Sequence, residues 1–361
     1  MRVFLHLAIG LPSLALLCGT IVPLIHVNAW WVRIFDFPRL QLALAMAIML
    51  AGYAGLRCWM PFRGWEYAPP ALLAAGLAWQ VAAILPYTML YPRQVADSSE
   101  DDASSRISLL ISNVLYDNRD VAALLELIRA TNPDVVLLTE PTSWWQEQLA
   151  ELEQDYPHTI LQGQDNEYGM LLYSRLELID PQVCFLVEPE VPSIRTRLRL
   201  RSGEVVGLYG LHPRPPGLHR PEKDEREDSD VRDAELLLVA KEVAQLDGLP
   251  VIVAGDFNDV AWSRSTHLFQ RIGGMLDPRV GRGLYNTFDA NRLLLRYPLD
   301  HVFVSDHFRL VELRRLRHIG SDHFPMLAVL DYDPTAASEQ DEPRPDAEDH
   351  EDADEAIDEV R

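Results

Sequence analysis

The chain is expected to fold as an α/β domain with strands covered on both faces, preceded by three membrane-spanning helices. Three observations predict this. Residues 1–91 carry almost no charge. From residue 106 onward, short apolar runs and helical patterns follow one another between Gly, Pro and Asn breakers. Most of those runs are apolar throughout, as strands buried on both sides require.

The N-terminal elements come first. Val3 to Ile25 is a stretch of 23 residues with one ionisable group, His6; Leu40 to Leu56 adds 17 and Ala68 to Tyr91 adds 24, neither with an acid or base. A hydrocarbon core of about 30 Å needs roughly 20 apolar helical residues, so the second stretch is at the short limit. Trp30, Trp31, Trp59, Trp65, Tyr67, Tyr87 and Tyr91 stand where interfacial aromatics belong. A cleaved signal peptide is the alternative for the first stretch, opposed by the two that follow. His6, near a helix end, reads as interfacial. Three spans place Arg2, Arg57 and Arg63 on one side and Arg33, Arg39 and Arg93 on the other, an even split. The free N-terminus beside Arg2 favours a cytoplasmic N-terminus and a soluble domain outside the cytoplasm.

Residues 92–105 read as a polar linker, with Asp97, Ser98, Ser99, Glu100, Asp101 and Asp102. The domain then spans 106–333. Strands are expected at Ile107–Val114, Asp134–Thr139, Gly169–Ser174, Ile194–Leu200, Val205–Leu211, Pro250–Ala254, Leu299–Val304, Leu310–Leu313 and Met326–Leu330. Helices are expected at Asp120–Ala130 and Val231–Leu246. Arg214–Arg232, rich in Pro and charge, reads as a solvated loop beside the pocket. Residues 334–361 hold twelve acids against Arg344 and Arg361, a net −10 of the formal −22, and are expected to be disordered. The remainder is acidic too and has no long Lys/Arg run of the kind that marks nucleic-acid binding. Cys18, Cys58 and Cys184 lie far apart and form no C-x-x-C pattern. The domain 106–333 is expected to stand alone.

The chemistry falls at strand ends. Ile107–Ser112 runs into Asn113, Asp134–Thr139 into Glu140, Val205–Leu211 into His212, Pro250–Gly255 into Asp256 and Asn258, and Tyr297–Leu299 into Asp300 and His301. Gly320–Ser321 leads into Asp322 and His323. An apolar strand that ends in one polar group delivers it to the rim of a sheet, and six such ends suggest one pocket. Glu140, Asp256 and Asp322, with Asn113 and Asn258, are hard oxygen donors that suit Mg²⁺ or Mn²⁺ better than zinc. His212 and His323 supply imidazoles for proton transfer or for holding a charged oxygen. A cation beside such groups is what phosphoester hydrolysis needs.

Gly255-Asp256-Phe257-Asn258 and Gly320-Ser321-Asp322-His323-Phe324-Pro325 resemble the two signature motifs of the endonuclease/exonuclease/phosphatase superfamily, the DNase I-like fold. Ser112-Asn113-Val114, Leu137-Leu138-Thr139-Glu140, Leu211-His212-Pro213 and Leu299-Asp300-His301-Val302-Phe303 resemble its other motifs, in order, over about Arg106–Asp333. The resemblance implies a four-layer α/β sandwich: two stacked mixed sheets flanked by helices. It implies Glu140 as principal metal ligand, with Asn113 and Asp322 completing or supporting the site. It implies His323 as general base oriented by Asp300, with Asp256 as the rival base. Asp256 and Asn258 would hold the nucleophile, the phosphate or a second metal, and His212 would donate to a phosphate oxygen.

Each residue taken alone has a plainer reading. Gly255-Asp256 and Asn258-Asp259 suit turns, His212 before Pro213 suits a loop, and His301 reads as a loop histidine facing away from Asp300. The partner expected is a phosphoester, nucleic acid or phospholipid head group, with a bilayer held through residues 1–91. The motifs place a nuclease slightly ahead, although Arg195, Arg197, Arg199 and Arg201, sharing one strand face, are its only basic strip. A lipid or phosphoinositide phosphoesterase is the alternative, and a membrane-anchored binding module without turnover is the second.

Overall fold

Two mixed sheets lie face to face in the computed structural model of the chain. It describes all residues except 1, 100–102, 218, 221–224, 227, 247 and 361, and no side chain at 2–7, 219–220 or 225–226. In chain order the strands are β1 (Arg106–Asn113), β2 (Val135–Thr139), β3 (His158–Gln162), β4 (Met170–Ser174), β5 (Glu177–Cys184), β6 (Ser193–Arg199), β7 (Val205–Leu211), β8 (His219–Arg220), β9 (Glu225–Arg226), β10 (Val251–Asp256), β11 (Asp300–Val304), β12 (Phe308–Arg315) and β13 (Met326–Tyr332). The helices are α1 (Arg2–Ile21), α2 (Trp30–Arg33), α3 (Arg39–Trp59), α4 (Ala68–Ile84), α5 (Val121–Thr131), α6 (Ser143–Gln148), α7 (Asp230–Val243), α8 (Arg264–Gly273) and α9 (Ala347–Asp358). One sheet has the order β12-β13-β1-β2-β4-β3 and the other β11-β10-β7-β6-β5.

Strand periodicity explains the layers. In β1, Ile107, Leu109 and Ile111 enter the core between the sheets, while Leu110 meets α5 and α6 on the outer face. In β2, Val135 and Leu137 face inward and Val136 and Leu138 outward. In β10, Ile252 and Ala254 face inward, while Val251 and Val253 meet α7 and α8. Period 2 applied to an apolar run thus buries both faces, and the four-layer sandwich follows. Within it β1 runs parallel to β2, and β7 parallel to β10. These two parallel pairs carry the candidate site.

Several expectations change. Residues 92–99 are no free linker: Val95 is fully buried in the inter-sheet core, and the Ser98 N–H donates to the Leu310 carbonyl at 2.8 Å, along the edge of β12; residues 100–102 of the expected linker lie outside the described residues. The tail is not a disordered appendage. Asp346 caps α9, and Ala353 and Ile357 pack into the cluster that covers β10. The helix is amphipathic and its acids meet Arg264, Arg271 and Lys241. Composition alone hid both features.

In the N-terminal unit, α1, α3 and α4 pack around Met46, Tyr53, Phe62 and Leu73. Two helical stretches, Arg39–Trp59 and Gly64–Tyr87, are long and apolar enough to cross a membrane; of the first expected span, the described side chains of α1 and the turn after it cover the shorter apolar stretch Ala8–Leu24. This unit docks on the sandwich. The Trp262 indole donates to the Asp36 carbonyl at 2.7 Å, Arg33 Nη2 to Ser265 Oγ at 2.8 Å, and the Tyr87 hydroxyl to the Ala261 carbonyl at 2.6 Å.

Candidate metal and phosphate site

The two parallel strand pairs end at the same edge of the sandwich. Asn113 lies opposite Thr139, so Asn113 and Glu140 emerge side by side. Leu211 lies opposite Gly255, so His212 and Asp256 do the same on the other sheet. At Gly255 φ is +142°, and a Cβ would sit 2.0 Å from the Leu211 carbonyl oxygen; a side chain there would force the pair apart. Asn113 joins the sheets. Its Nδ2 donates to Glu140 Oε1 at 2.7 Å and to Asp256 Oδ2 at 3.0 Å. The second oxygen of each carboxylate is held by backbone: Tyr116 N–H donates to Glu140 Oε2 at 3.2 Å, and Asn258 N–H to Asp256 Oδ1 at 2.9 Å.

β11 and the loop before β13 complete the cluster. Asp300 Oδ2 accepts from His323 Nδ1 at 2.7 Å, and His323 Nε2 stands 3.5 Å from Asp256 Oδ2. His212 Nε2 is 3.9 Å from both Glu140 Oε1 and Asp256 Oδ2. Asn258 lines the cavity and donates through Nδ2 to the Pro213 carbonyl at 3.0 Å. Asp322 stands at the half-buried rim and belongs to neither of the two tight groups, Glu140–His212–Asp256 and Asp256–Asp300–His323.

The electrostatics are those of buried acids short of positive charge. Burial pushes Glu140 up to about 7, against the lowering effect of the Asn113 hydrogen bond. Burial likewise raises Asp322. It presses His212 down to about 4, so that ring is neutral, and its Nδ1 has no partner among the described residues. Burial opposes charge on His323 too, but Asp300 and Asp256 outweigh it and push it up to about 10. Two ordered carboxylates sharing one amide fit a hard divalent cation, with the ring nitrogens of His212 and His323 beside them. Glu140 and Asp256, with the Asn113 carboxamide, are the groups that would hold it.

Several supporting residues escape sequence reasoning. Arg232, expected in a solvated loop, is buried at the start of α7; it pairs with Asp233 and Asp259 and donates to the Asn258 carbonyl at 2.9 Å. The charged run around it gave no sign of burial. The first part of the expected loop, Pro215 to Gly217, does border the cavity. His301 lies on β11, not in a loop. It faces away from Asp300 as expected, stacked on Phe257 and Phe303, with Nε2 at 2.9 Å from the Asp259 carbonyl. Buried Arg279, clamped by Asp277, donates to His301 Nδ1 at 2.5 Å.

Comparison with solved structures matches this fold. No curated protein matches the chain. The human nocturnin catalytic domain, solved with bound sulfate, superposes with TM-score 0.51 at 17% identity, covering 66% of this chain and 97% of its own. Zebrafish (D. rerio) TDP2 carrying 14 humanising mutations gives TM-score 0.50 at 15% identity, covering 63% and 100%. A conserved protein of unknown function from Enterococcus faecalis gives TM-score 0.50 at 15% identity, also covering 63% and 100%. These likenesses establish the fold. The profile of the Endonuclease/Exonuclease/phosphatase family matches residues 110–323, more than half of the chain and every candidate site residue from Asn113 to His323, so the chain belongs to that family.

Proposed function

We propose that the chain is a membrane-held phosphoester hydrolase dependent on Mg²⁺ or Mn²⁺. One observation carries the reading: Asn113, Glu140, Asp256 and the Asp300–His323 pair converge from both sheets with too little positive charge for their carboxylates. A cation held by Glu140, Asp256 and Asn113 supplies charge neutralisation at the phosphoryl oxygens. The remaining work belongs to side chains. His323, fixed through Nδ1 by Asp300, presents Nε2 to the proton of the attacking water, with Asp256 as the rival acceptor. Of the carboxylates that hold His323 charged, Asp256 would also hold the cation, which would lessen its pull on the ring and leave Nε2 freer to accept, while Asp300 keeps Nδ1. Neutral His212 offers a ring N–H to a phosphoryl oxygen, and Asn258 borders the substrate.

The membrane part of the proposal rests on length. Arg39–Trp59 spans about 30 Å at 1.5 Å per residue, a hydrocarbon thickness. Exposed Trp59, Trp65 and Tyr67 lie at one end, Trp31 and Tyr91 at the other. α1 completes three spans, and the domain lies on the non-cytoplasmic side. An impermeant maleimide on intact cells should reach Cys184, a free thiol of the sandwich; protection until lysis reverses the orientation.

The full chain in detergent should release product from a panel of phosphomonoesters and phosphodiesters, lose activity in EDTA, and regain it with Mg²⁺ or Mn²⁺. An EDTA-resistant activity would remove the metal from the proposal.

A further inference from the structure

Resting on the hydrolase reading, we propose that the site takes phosphoesters carried on a lipid, with α2 and the turn after it forming the wall for the hydrocarbon chain. The catalytic cluster opens into a cavity of about 650 Å³. Glu140, Asn258, Asp322 and His323 line one side of it; Trp30, Ile34, Phe37 and Pro38 line another. The second wall comes from the segment joining α1 to α3, not from the sandwich. It is fixed in place by the Trp262–Asp36 and Arg33–Ser265 hydrogen bonds, and Phe37 packs edge-on against Tyr297, with ring centroids 5.5 Å apart.

The position of this wall points to a bilayer. Pro38 immediately precedes α3, so the mouth lies level with the end of a membrane-length apolar helix. Beside that first turn the sandwich extends a loop with three consecutive leucines facing solvent, Leu293 at 75%, Leu294 at 78% and Leu295 at 43% exposure. Gln41 Nε2 of α3 donates to the Leu294 carbonyl at 2.8 Å, which sets the leucines next to the helix at that level. Exposed apolar side chains grouped this way mark a surface that meets lipid. A bilayer lipid entering here sets its phosphate toward Glu140 and His323 while its chain runs along Ile34 and Trp30.

Nucleic acid fits less well. Arg195, Arg197, Arg199 and Arg201, the strip a nuclease would use, are taken up by Glu242, Asp180, Glu177 and Asp134. That strip also runs away from the site, since Arg199 pairs with Val205 at the far end of β7 from His212.

The test uses the full chain in nanodiscs with Mn²⁺. Monoalkyl phosphates from ethyl to octyl are titrated and binding is read from tryptophan fluorescence. Each methylene should tighten binding by about fourfold, as burial of a CH₂ predicts. Ile34→Ser, at a residue 53% exposed and so tolerant of change, should flatten that slope, with partition into the disc common to both proteins. Phosphoester cleavage is measured in parallel on phosphatidylglycerol vesicles and on single-stranded DNA. Binding independent of chain length, an unchanged slope in Ile34→Ser, or faster cleavage of DNA than of vesicle lipid overturns the lipid assignment and leaves the hydrolase reading intact. Chain-length-dependent binding with no phosphoester cleaved keeps the lipid site and removes the hydrolase reading instead.

Discussion

His323 and Asp300 lie 2.7 Å apart, both almost fully buried, and the ring nitrogen that faces Asp256 is the one Asp300 does not hold. A carboxylate on Nδ1 fixes the tautomer and orients Nε2, so the two side chains should act as one unit. His323→Ala is expected to lower kcat by about 10²–10⁴-fold with little change in KM, and Asp300→Asn to lower it as well. The double variant should lose far less than the product of the two single losses. Multiplicative losses would mean independent action and would move the proton acceptor to Asp256. Glu140 gives a second test. Its carboxylate is buried and pushed up to about 7, so Glu140→Gln removes an awkward charge as well as a ligand. That variant should bind Mn²⁺ at least tenfold more weakly by calorimetry while unfolding no earlier than the parent without metal. Unchanged Mn²⁺ affinity would take Glu140 out of the metal site. Glu140 was legible in the sequence because it follows the apolar strand β2, and Asp300 because it opens the apolar strand β11, which leaves each only the rim to occupy; His323 was legible through its motif, three residues before β13. Arg232 and Arg279 were not, because a buried arginine reads as a surface one until Asp233, Asp259 and Asp277 are seen to enclose it.

The same contrast holds for whole elements. The central strands β1, β2, β7, β10 and β13 are apolar enough to declare themselves. The edge strands β3 and β5 are half exposed, and β5 contains Pro181, which an edge tolerates and a central strand does not. Nothing in their composition separates them from loops. Helix α7 was expected at Val231–Leu246, but its burial was not legible, since it is charged along its length yet buries Arg232, Asp233 and Glu235 together with its leucines. Glu235 makes this testable. Burial pushes it up from 4.5 to about 7, against the hydrogen bond that Ser193 Oγ donates at 2.6 Å. A carboxyl whose folded pKa exceeds its unfolded one binds more protons when folded, so stability falls as pH rises from about 4.5 to about 7. At roughly 1.4 kcal/mol per unit the full loss is of order 3 kcal/mol. Glu235→Gln cannot titrate and should remove that slope, so melting temperatures of parent and variant should diverge between pH 5 and 8 in the variant's favour. Parallel curves would show that Glu235 is ionised at little cost and that water reaches it.

At the scale of the molecule, the parts read separately in the sequence turn out to cover one another. Val260, Ala261, Trp262 and Leu299 of the sandwich form one buried cluster with Tyr87 of the N-terminal unit, and Phe37 packs against it. Val95 completes the inter-sheet core from the supposed linker, and α9 packs Ala353 and Ile357 from the supposed tail onto α7 and α8, which cover β10. Periodicity finds an element's apolar face but not its partner, so a charged tail and a polar connector look dispensable until the covered surface is seen. The piece 106–333 should therefore fail to stand alone. Without residues 1–91 the Trp262 cluster is uncovered, and without 334–361 the outer face of α7 and α8 is uncovered. Each large apolar side chain returned to water costs about 1.5–3 kcal/mol, so a few of them approach the whole stability of an ordinary domain. Light scattering should show 106–333 associating in the absence of detergent, 92–361 associating less because α9 and the 92–105 segment are restored, and the full chain in detergent remaining monodisperse. Trp262→Ser in 92–361 should reduce that association, because it removes the largest side chain of the exposed cluster. If 106–333 is monomeric and unfolds at the same denaturant midpoint as the full chain, the contacts across these boundaries contribute nothing and the sandwich is an independent domain on a tether.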